Sequence, residues 1–336
     1  MRNMPRRGMV RNLAGLGLAG VGWAAPASIP PAAAQPAATQ PTFPSRPLRM
    51  IVPFAPGGSA DVVARITALG LQEALGQPVV VENRGGSGGV IGSEAALAAP
   101  ADGHTIIFHS LSSAVLNAGL YRNLSFDVRR AFAPVALVGT LPNIVMVGPG
   151  VPVRSLQELI ALMRRGGVTY ASSGAGTITH LSAQLLASMV GAEATHIPYR
   201  GSGPAFADLL AGRVDMMVDT MASVIPAIRS GQVRGLAVTT TNRSPALPEV
   251  PTAQEAGVPG YETYNWHAVF APAATPAPIL AVLERATIAA VASGRQRLAE
   301  AGVEPRGEGA AMLAPFWDAQ LALWIPIIRA SGATAD

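Results

Sequence analysis

Two glycine-rich segments carry residue types that could bind an anion. The first, PFAPGGSAD, spans 53–61, and the second, SSGAGT, spans 172–177. Each follows a short β-like run and precedes a helical pattern, which predicts a turn that opens a helix. Glycine lets the backbone approach a ligand closely, and the first N–H groups of a helix are unpaired donors at the positive end of its dipole. Because ligands of parallel sheets bind beyond the carboxyl ends of the strands, the two segments together predict an anion held from two sides.

Three residues at these turns have alternative roles. Ser59 and Thr177 are each predicted at the start of a helix, where a hydroxyl can cap the helix, contact a ligand, or do both. Asp61 falls in a first helical turn, where its charge favours the dipole, but a carboxylate repels an anion. Asp61 is therefore predicted to orient the loop or to contact an amine.

One enzyme motif is present. Residues 85–89, GGSGG, match the G-x-S-x-G pattern of a hydrolase nucleophile, with Ser87 as the nucleophile. Residues 82–84 separate this motif from the preceding strand, whereas a nucleophile needs a sharp strand-to-helix turn. Four glycines around one serine also match the pattern easily by chance. A serine hydrolase is therefore the less favoured alternative.

The glycine turns and histidines of the chain match neither a dinucleotide-binding motif nor a metal motif. The sequence contains no cysteine and no lysine, which excludes thiolate metal sites and a Walker lysine. The glycine pairs Gly86/Gly88 and Gly174/Gly176 do not complete G-x-G-x-x-G, because Ile91 and Thr179 stand where the third glycine is required. His104 and His109 are predicted in one strand on opposite faces, which suits no shared metal. The sequence thus predicts no cofactor and no metal.

Several further polar residues are predicted near the cleft. His180 begins a helix beside the second glycine turn and is the histidine predicted to act in binding, whereas His196 lies in an apolar strand and is predicted to pack there. Asp219, at the end of an apolar strand, is predicted to lie at the edge of the cleft. For Arg200 and His267, a cleft contact and a structural role both remain open.

The charge distribution bears on partners. All 24 basic residues are arginine, and four of them lie in the first eleven positions. The other 20 arginines balance 20 acidic residues, so the body of the chain has no net charge. The body therefore gives no indication of nucleic-acid binding.

The N-terminus has the three-part layout of a secretory signal, predicted over residues 1–34. A basic start is followed by a weakly apolar stretch from Leu13 to Ala25, too short to span a membrane. Small residues offer cleavage after Ala27 or Ala34, and we favour Ala34. The pair Arg6-Arg7 resembles a twin-arginine signal, which leaves the Sec and twin-arginine routes both open. Residues 35–45 are predicted to be a flexible Pro/Ala linker.

The rest of the chain alternates β-like runs and helical patterns, which predicts an α/β fold. The predicted strands are 48–54, 78–82, 105–108, 168–172, 194–199, 214–218 and 234–239. The predicted helices are 60–75, 90–99, 178–190 and 204–211. Two apolar runs, 133–139 and 143–148, are predicted to be separate crossing strands of a hinge, with a return crossing at 264–272 and helices after Pro278. This gives lobe one over 46–141 and 262–336, and lobe two over 142–261.

From Arg46 to near Gly332, the chain resembles the tripartite tricarboxylate transporter substrate-binding proteins, the Bug or TctC family. The segments that carry the resemblance are RPLRMIVPFAPGGSADVVAR, LGQPVVVENRGGSGGVIG, ADGHTI, YASSGAGTITHLSAQLL, HIPYRGSGPAFADLLAGRVDMM and PALPEVPTAQEAGVPGYE. They follow the family's order, although residues 83–89 read NRGGSGG where the family usually has NRPGAGG. The resemblance implies a periplasmic binding protein of type II, with two doubly wound lobes and a cleft between them.

The resemblance also implies ligand contacts. In lobe one these fall on Phe54, Gly57, Gly58, Ser59 and Asp61, and in lobe two on Ser173, Gly174, Gly176, Thr177 and His180. The stretch 109–113, which includes Ser110, follows the third strand and can line the cleft. His109 in this stretch is unlike the residues common in relatives and leaves the identity of the ligand open.

Together these features predict an exported, monomeric binding protein of the periplasm that catalyses no reaction. It is expected to close around a small carboxylate by hinge movement and to deliver it to a membrane permease. Dicarboxylates, tricarboxylates, acidic amino acids and aromatic acids all remain open as ligands. A ligand-presenting partner of a sensor protein is the alternative, and the serine hydrolase at Ser87 is the less favoured one.

Overall fold

The computed structural model describes residues 43–331 and 333–335. The predicted signal and most of the predicted linker therefore lie outside the described residues. In the first half of the chain, the strands and helices are β1 Leu48–Val52, α1 Ser59–Leu75, β2 Val79–Asn83, α2 Val90–Leu97, β3 Thr105–Ser110, α3 Asn117–Leu120, α4 Val128–Ala131, β4 Phe132–Val147 and α5 Leu156–Arg165. In the second half they are β5 Thr169–Ser172, α6 Ile178–Met189, β6 Thr195–Pro198, α7 Ser202–Leu210, β7 Met216–Thr220, α8 Ile225–Arg229, β8 Arg234–Val238, β9 Tyr264–Pro272, α9 Ala277–Ser293, α10 Arg295–Glu300, β10 Glu304–Gly309 and α11 Ala310–Ser331.

The strands form two sheets, one in each lobe. In lobe one the order is β2-β1-β3-β9-β4, with β10 on the other side of β4. The strands β2, β1 and β3 are parallel, and β9 and β10 run antiparallel to their neighbours. In lobe two, β6, β5 and β7 are parallel, and β7 and β8 both pair antiparallel with β4. The predicted α/β fold with two doubly wound lobes is confirmed.

A single long strand, β4, connects the two sheets. Residues 132–142 pair with β9 in lobe one, and residues 143–147 pair with β7 in lobe two. The prediction of two separate crossing strands was therefore wrong, because the chain stays extended across the change of partner. The return crossing β9 has the predicted bounds. The lobe boundaries at 141/142 and 261/262 stay a prediction.

The sheets are covered by helices on both faces, which explains the apolar character of the strands. In β1, Leu48, Met50 and Val52 pack in one buried cluster, whereas Ile51 points into the other. The same alternation holds in lobe two, where Val145 and Ile144 of β4 belong to different clusters. This arrangement fixes the carboxyl ends of the parallel strands at the edge where the two lobes meet.

Helix α11 closes lobe one. Its residues Leu313, Trp317 and Ile328 are buried in a lobe-one cluster, and the indole N–H of Trp317 donates to the carbonyl oxygen of Ala114 at 2.8 Å. In length and composition, Ala310–Arg329 would also suffice to cross a membrane. Leu313, Trp317 and Ile328 attach it to the lobe-one cluster, while 22% of the apolar segment is buried.

Candidate functional site

A small polar cavity lies between the lobes, beyond the carboxyl ends of their parallel strands. Its volume is about 30 Å³. Its walls come from both lobes and from the strands that connect them: Phe54, Gly58, Ser59, Ala60, Ser110, Ser112, Ser173, Ile178, Thr179, Ser202, Thr220, Asn265 and His267. Two larger grooves, of about 740 and 650 Å³, lie along the hinge strands and on lobe two. We place the candidate site in the small cavity because three helices begin there.

The helices α1, α6 and α7 begin at this cavity with Ser59, Ile178 and Ser202. The residues that precede them, Gly58, Thr177 and Gly201, make no side-chain hydrogen bond to the first helical turn. Each helix therefore begins with N–H donors that its own backbone does not use, together with roughly half a positive charge; the N–H of Ile178 is taken by Ser112 Oγ. None of the described residues lining the cavity is Asp, Glu, Lys or Arg. The cavity is thus suited to a small anion.

Asn265 contributes an oriented amide to the cavity. Its Oδ1 accepts hydrogen bonds from the backbone N–H of Leu111 at 3.3 Å and of Trp266 at 2.9 Å. These donors fix which end of the amide is which, because only the oxygen can accept. Its Nδ2 donates to Thr220 Oγ1 at 3.1 Å, and Thr220 in turn donates to Asn143 Oδ1 at 3.1 Å. Among the described residues, the second N–H of Asn265 meets no hydrogen-bond acceptor.

His267 is a neutral member of the site. Its Nε2 is joined to Ser59 Oγ by a hydrogen bond of 3.0 Å, and its ring lies 5.4 Å from that of Phe108. Burial lowers the pKa of His267 to about 3. A ring that resists protonation is a weak general base, so the pair is poorly suited to activate Ser59 as a nucleophile. It is well suited to hold the Ser59 hydroxyl in place.

Asp219 lies behind the cavity wall rather than in it. Its carboxylate is fully buried and accepts hydrogen bonds from Ser202 Oγ at 2.7 Å and from Ser223 Oγ at 3.1 Å. In the described part of the chain, no salt bridge reaches this carboxylate. Burial raises the pKa of Asp219 to about 6, although the hydrogen bonds from Ser202, Thr220 and Ser223 oppose the shift.

Asp219→Asn is expected to gain stability relative to wild type as the pH rises from 4 to 8. The raised pKa means that folded Asp219 binds its proton more tightly than unfolded Asp219, whose reference value is 3.8. Its stabilising contribution is therefore complete below pH 3.8 and is lost as the pH rises through about 6. The variant has no titrating carboxyl group and does not undergo this loss, which amounts to up to about 3 kcal/mol in the free energy of unfolding. Melting temperatures of both proteins across this pH range measure it.

Asp208→Asn is the matched control for this pH dependence. Asp208 accepts hydrogen bonds from Tyr199 Oη and Arg213 Nη1, both at 2.7 Å, and the bond from Tyr199 is the main reason that its pKa is lowered. Its stabilising contribution is therefore lost on acidification, and the difference between variant and wild type should run in the opposite direction. If the melting temperatures of wild type and Asp219→Asn change in parallel with pH, burial does not disfavour the ionised form of Asp219.

The second glycine turn is held in shape by its own side chains. Thr177 Oγ1 donates to the carbonyl oxygen of Gly174 at 2.7 Å, and the N–H of Gly176 donates to His180 Nδ1 at 3.0 Å. The ring of His180 stacks on that of His196 with 3.9 Å between centroids. Burial lowers the pKa of both histidines, that of His196 to about 4. Both are therefore neutral near pH 7.

The first glycine turn is held by Asp61. Its carboxylate accepts hydrogen bonds from the N–H of Gly57 at 3.1 Å, from Arg65 Nε at 3.0 Å and from Asn83 Nδ2 at 3.0 Å. Burial alone would raise the pKa of Asp61, but these donors, with Arg65 first, outweigh it and lower the pKa. Of the two predicted roles, the geometry favours orientation of the loop.

The lobes also touch each other directly at the mouth of the cavity. The N–H of Ala55 donates to the carbonyl oxygen of Arg200 at 3.3 Å, and the N–H of Ile178 donates to Ser112 Oγ at 3.0 Å. A Cβ on Gly203 would clash with the carbonyl oxygen of Pro56. The side chain of Arg200 is exposed.

The twelve predicted contact residues fall into two groups. Those that line the cavity are Phe54, Gly58, Ser59, Ser110 and Ser173. Those that lie behind it or beside it are Gly57, Asp61, Gly174, Gly176, Thr177, His180 and Asp219. Sequence reasoning missed Ala60, Ser112, Ile178, Thr179, Ser202, Thr220 and Asn265, and left His267 open. One usable signal was the i, i+2 spacing of Asn265 and His267, which puts both on one face of β9.

Ser87 lies apart from the histidines in the hydrogen-bond pattern. It is exposed and has a φ of 48°, in the left-handed region. Among the described residues, the three histidine rings that bond a serine hydroxyl bond Ser59, Ser113 and Ser172 instead. The same residues contain no group of three or more metal-ligating side chains that could hold a metal ion.

Two sheets joined by crossing strands, with a polar cavity between them, define a two-lobed periplasmic binding protein fold. The chain belongs to the tripartite tricarboxylate transporter receptor family: the family model described as "Tripartite tricarboxylate transporter family receptor" matches residues 63–333. The predicted membership of the Bug/TctC family is thereby confirmed.

Individual relatives agree with this assignment. The chain is 40% identical to BugT of Bordetella pertussis over 298 residues, which cover 87% of this chain and 91% of BugT. It is 36% identical to an R. palustris protein solved with adipate, with a TM-score of 0.83 and coverage of 87% and 99%. It is 32% identical to MatC from Rhodopseudomonas palustris with bound malate, with a TM-score of 0.79 and coverage of 85% and 100%.

Proposed function

We propose that this protein is an extracytoplasmic receptor that captures a small carboxylate between its lobes and passes it to a membrane permease of the tripartite tricarboxylate type. The observation that carries the proposal is the meeting of three helix N-termini, α1, α6 and α7, at a cavity whose described lining has no charged side chain. Such a cavity attracts an anion through N–H groups and hydroxyls. The relatives solved with adipate and malate support a carboxylate as the anion.

The cavity volume supports capture by lobe closure. About 30 Å³ has room for roughly two water molecules, which is less than a dicarboxylate needs. The cavity must therefore widen to hold such a ligand, and the strands β4 and β9 that connect the lobes are the place for that movement. Hinge closure around a ligand is the usual transition of periplasmic binding proteins.

A binding role without catalysis is supported by the character of the polar groups. The serine and histidine that share the cavity, Ser59 and His267, form a pair whose imidazole is neutral and weakly basic. Ser87, the residue of the hydrolase motif, is outside the cavity lining. The bound acid is therefore expected to leave chemically unchanged.

The proposal is tested by thermal unfolding of the chain from Gln35 onward in the presence of carboxylates. A ligand that binds the native state alone adds about 2.7 kcal/mol to the free energy of unfolding at one hundred times its Kd. We expect a clear rise in melting temperature with at least one di- or tricarboxylate. The matching diamide should give none, and the acid should be recovered intact. No rise with any carboxylate would overturn the proposal.

A further inference from the structure

Ser202 lines the cavity, and its hydroxyl proton is already in use. Ser202 Oγ lies 2.7 Å from Oδ1 of Asp219, and an ionised carboxylate can only accept hydrogen bonds. A serine has one hydroxyl proton, which this bond engages. Ser202 lines the cavity opposite Gly58, where an added Cβ would lie 3.3 Å from Ser202 Cβ. Towards a ligand, Ser202 Oγ therefore presents lone pairs.

Two other residues of the cavity lining, Asn265 and Ser112, have the reverse polarity. Asn265 keeps one amide N–H, because its oxygen accepts from Leu111 and Trp266 and its nitrogen makes a single hydrogen bond, to Thr220 Oγ1. Ser112 Oγ accepts from the N–H of Ile178 at 3.0 Å and keeps its own proton to donate. The cavity thus pairs donors near the hinge strands with an acceptor at the start of α7.

We infer that the preferred ligand is a carboxylate that also carries a hydrogen-bond donor, a hydroxyl or an ammonium group, directed at Ser202 Oγ. This inference rests on the proposed function and narrows its ligand class. Asp219 acts as a positioning residue, because it fixes the direction of the Ser202 hydroxyl without touching the ligand. Its buried negative charge also favours a donor with positive charge on the other side of Ser202.

The physical reason is the cost of an unmatched acceptor. A carboxylate oxygen placed against Ser202 Oγ would bring lone pairs together, and a methylene placed there would leave the buried oxygen without a partner. Either mismatch costs about as much as a hydrogen bond, which corresponds to a tenfold or larger change in Kd. Ligands of equal length that differ in a single substituent should therefore differ measurably in affinity.

The experiment compares succinate, malate and aspartate by calorimetry at pH 8, where Asp219 is ionised. Glutarate, 2-hydroxyglutarate and glutamate form a second matched set. In each set we expect the hydroxy or amino acid to bind wild type at least tenfold more tightly than the plain diacid. Comparison of hydroxyl with ammonium shows which donor the site prefers.

Two variants distinguish a specific effect of the oriented Ser202 hydroxyl from general damage to the binding site. Ser202→Ala removes the acceptor and is expected to bring the affinity ratio near one while plain diacids still bind. Asp219→Asn removes the carboxylate that orients the Ser202 hydroxyl, and it is expected to lower the same affinity ratio. Ser223→Ala is the matched control, because it removes the other hydroxyl bonded to Asp219 outside the cavity lining and should keep the ratio. A merely structural role would weaken all ligands alike and leave the ratio unchanged.

The outcomes distinguish this inference from the proposed function. If wild type binds succinate and glutarate as tightly as their substituted partners, the inference is wrong and the carboxylate receptor stands. If the selectivity persists in Ser202→Ala, Ser202 is not its source and the inference is also wrong. If no carboxylate of any kind binds, the proposed function fails and the inference fails with it.

Discussion

Gly203→Ala is expected to weaken carboxylate binding by about ten- to a hundredfold while the protein stays folded. Gly203 lies in the first turn of α7, and a Cβ there would clash with the carbonyl oxygen of Pro56 in the other lobe. Overpacking of this kind costs roughly 1–3 kcal/mol. Because the clash lies between the lobes, separation of the lobes relieves it without unfolding either of them. The closed state alone bears the cost.

Two measurements distinguish this effect from damage to α7. A residue with a Cβ directly before Pro204 is sterically disfavoured in the helical conformation. Alanine at position 203 would for this reason alone lower the melting temperature of the free protein. Impaired closure instead appears in the Kd and in the ligand-induced compaction seen by small-angle X-ray scattering. Gly150→Ala is the matched control, since an added Cβ there meets nothing within 4 Å and its φ is outside the left-handed region. Unchanged affinity in Gly203→Ala would mean that ligand binding does not bring Pro56 and Gly203 together.

The lobe architecture could be predicted because its signals are local. Parallel strands covered on both faces appear as short apolar runs, and α1 and α6 each begin at a glycine turn that the sequence shows directly. The return strand β9 was predicted with its correct bounds, although Asn265 and His267 interrupt its apolar residues.

The continuity of β4 could not be predicted from local pattern. Pro142 interrupts the apolar run and removes a backbone donor, which suggests a break between two strands. In the structure, Pro142 pairs with Tyr264 at the end of the lobe-one ladder, and the next residue, Asn143, pairs with Thr220 in lobe two. A proline is tolerated there because the strand changes partners at that point. Only the arrangement of both sheets reveals this.

The site was harder to predict than the fold because it is assembled from distant parts of the chain. Ser59 and His267 are 208 residues apart and share a hydrogen bond. Leu111 and Asn265, 154 residues apart, share another. Neither pairing follows from spacing in the sequence, since it depends on how β3 and β9 align in one sheet. The glycine turns were recognisable, but several of their residues hold the turns in shape instead of lining the cavity.

Asn265→Asp is expected to reduce carboxylate affinity by at least a hundredfold at pH 8. The introduced carboxylate would still accept hydrogen bonds from the N–H groups of Leu111 and Trp266, so both backbone bonds to this side chain are kept. The side chain would lose its amide donors and add a negative charge to a cavity whose described lining has no cation to offset it. Two like charges about 4 Å apart repel by roughly 4 kcal/mol at an effective dielectric constant of 20, or about a thousandfold in Kd. Calorimetric titration with the best-binding acid measures this loss.

Gln72→Glu provides the matched charge control for this test. It adds the same charge at an exposed position of α1, thirteen residues after Ser59, or about 20 Å along the helix. At physiological ionic strength that distance exceeds two Debye lengths, so affinity should stay at the wild-type value. Loss of binding in Asn265→Asp alone would place the anion beside Asn265. If both variants bind the acid equally well, the carboxylate lies elsewhere in the protein. A carboxylate bound about 4 Å from the charge of Asn265→Asp would be repelled, and its Kd would rise.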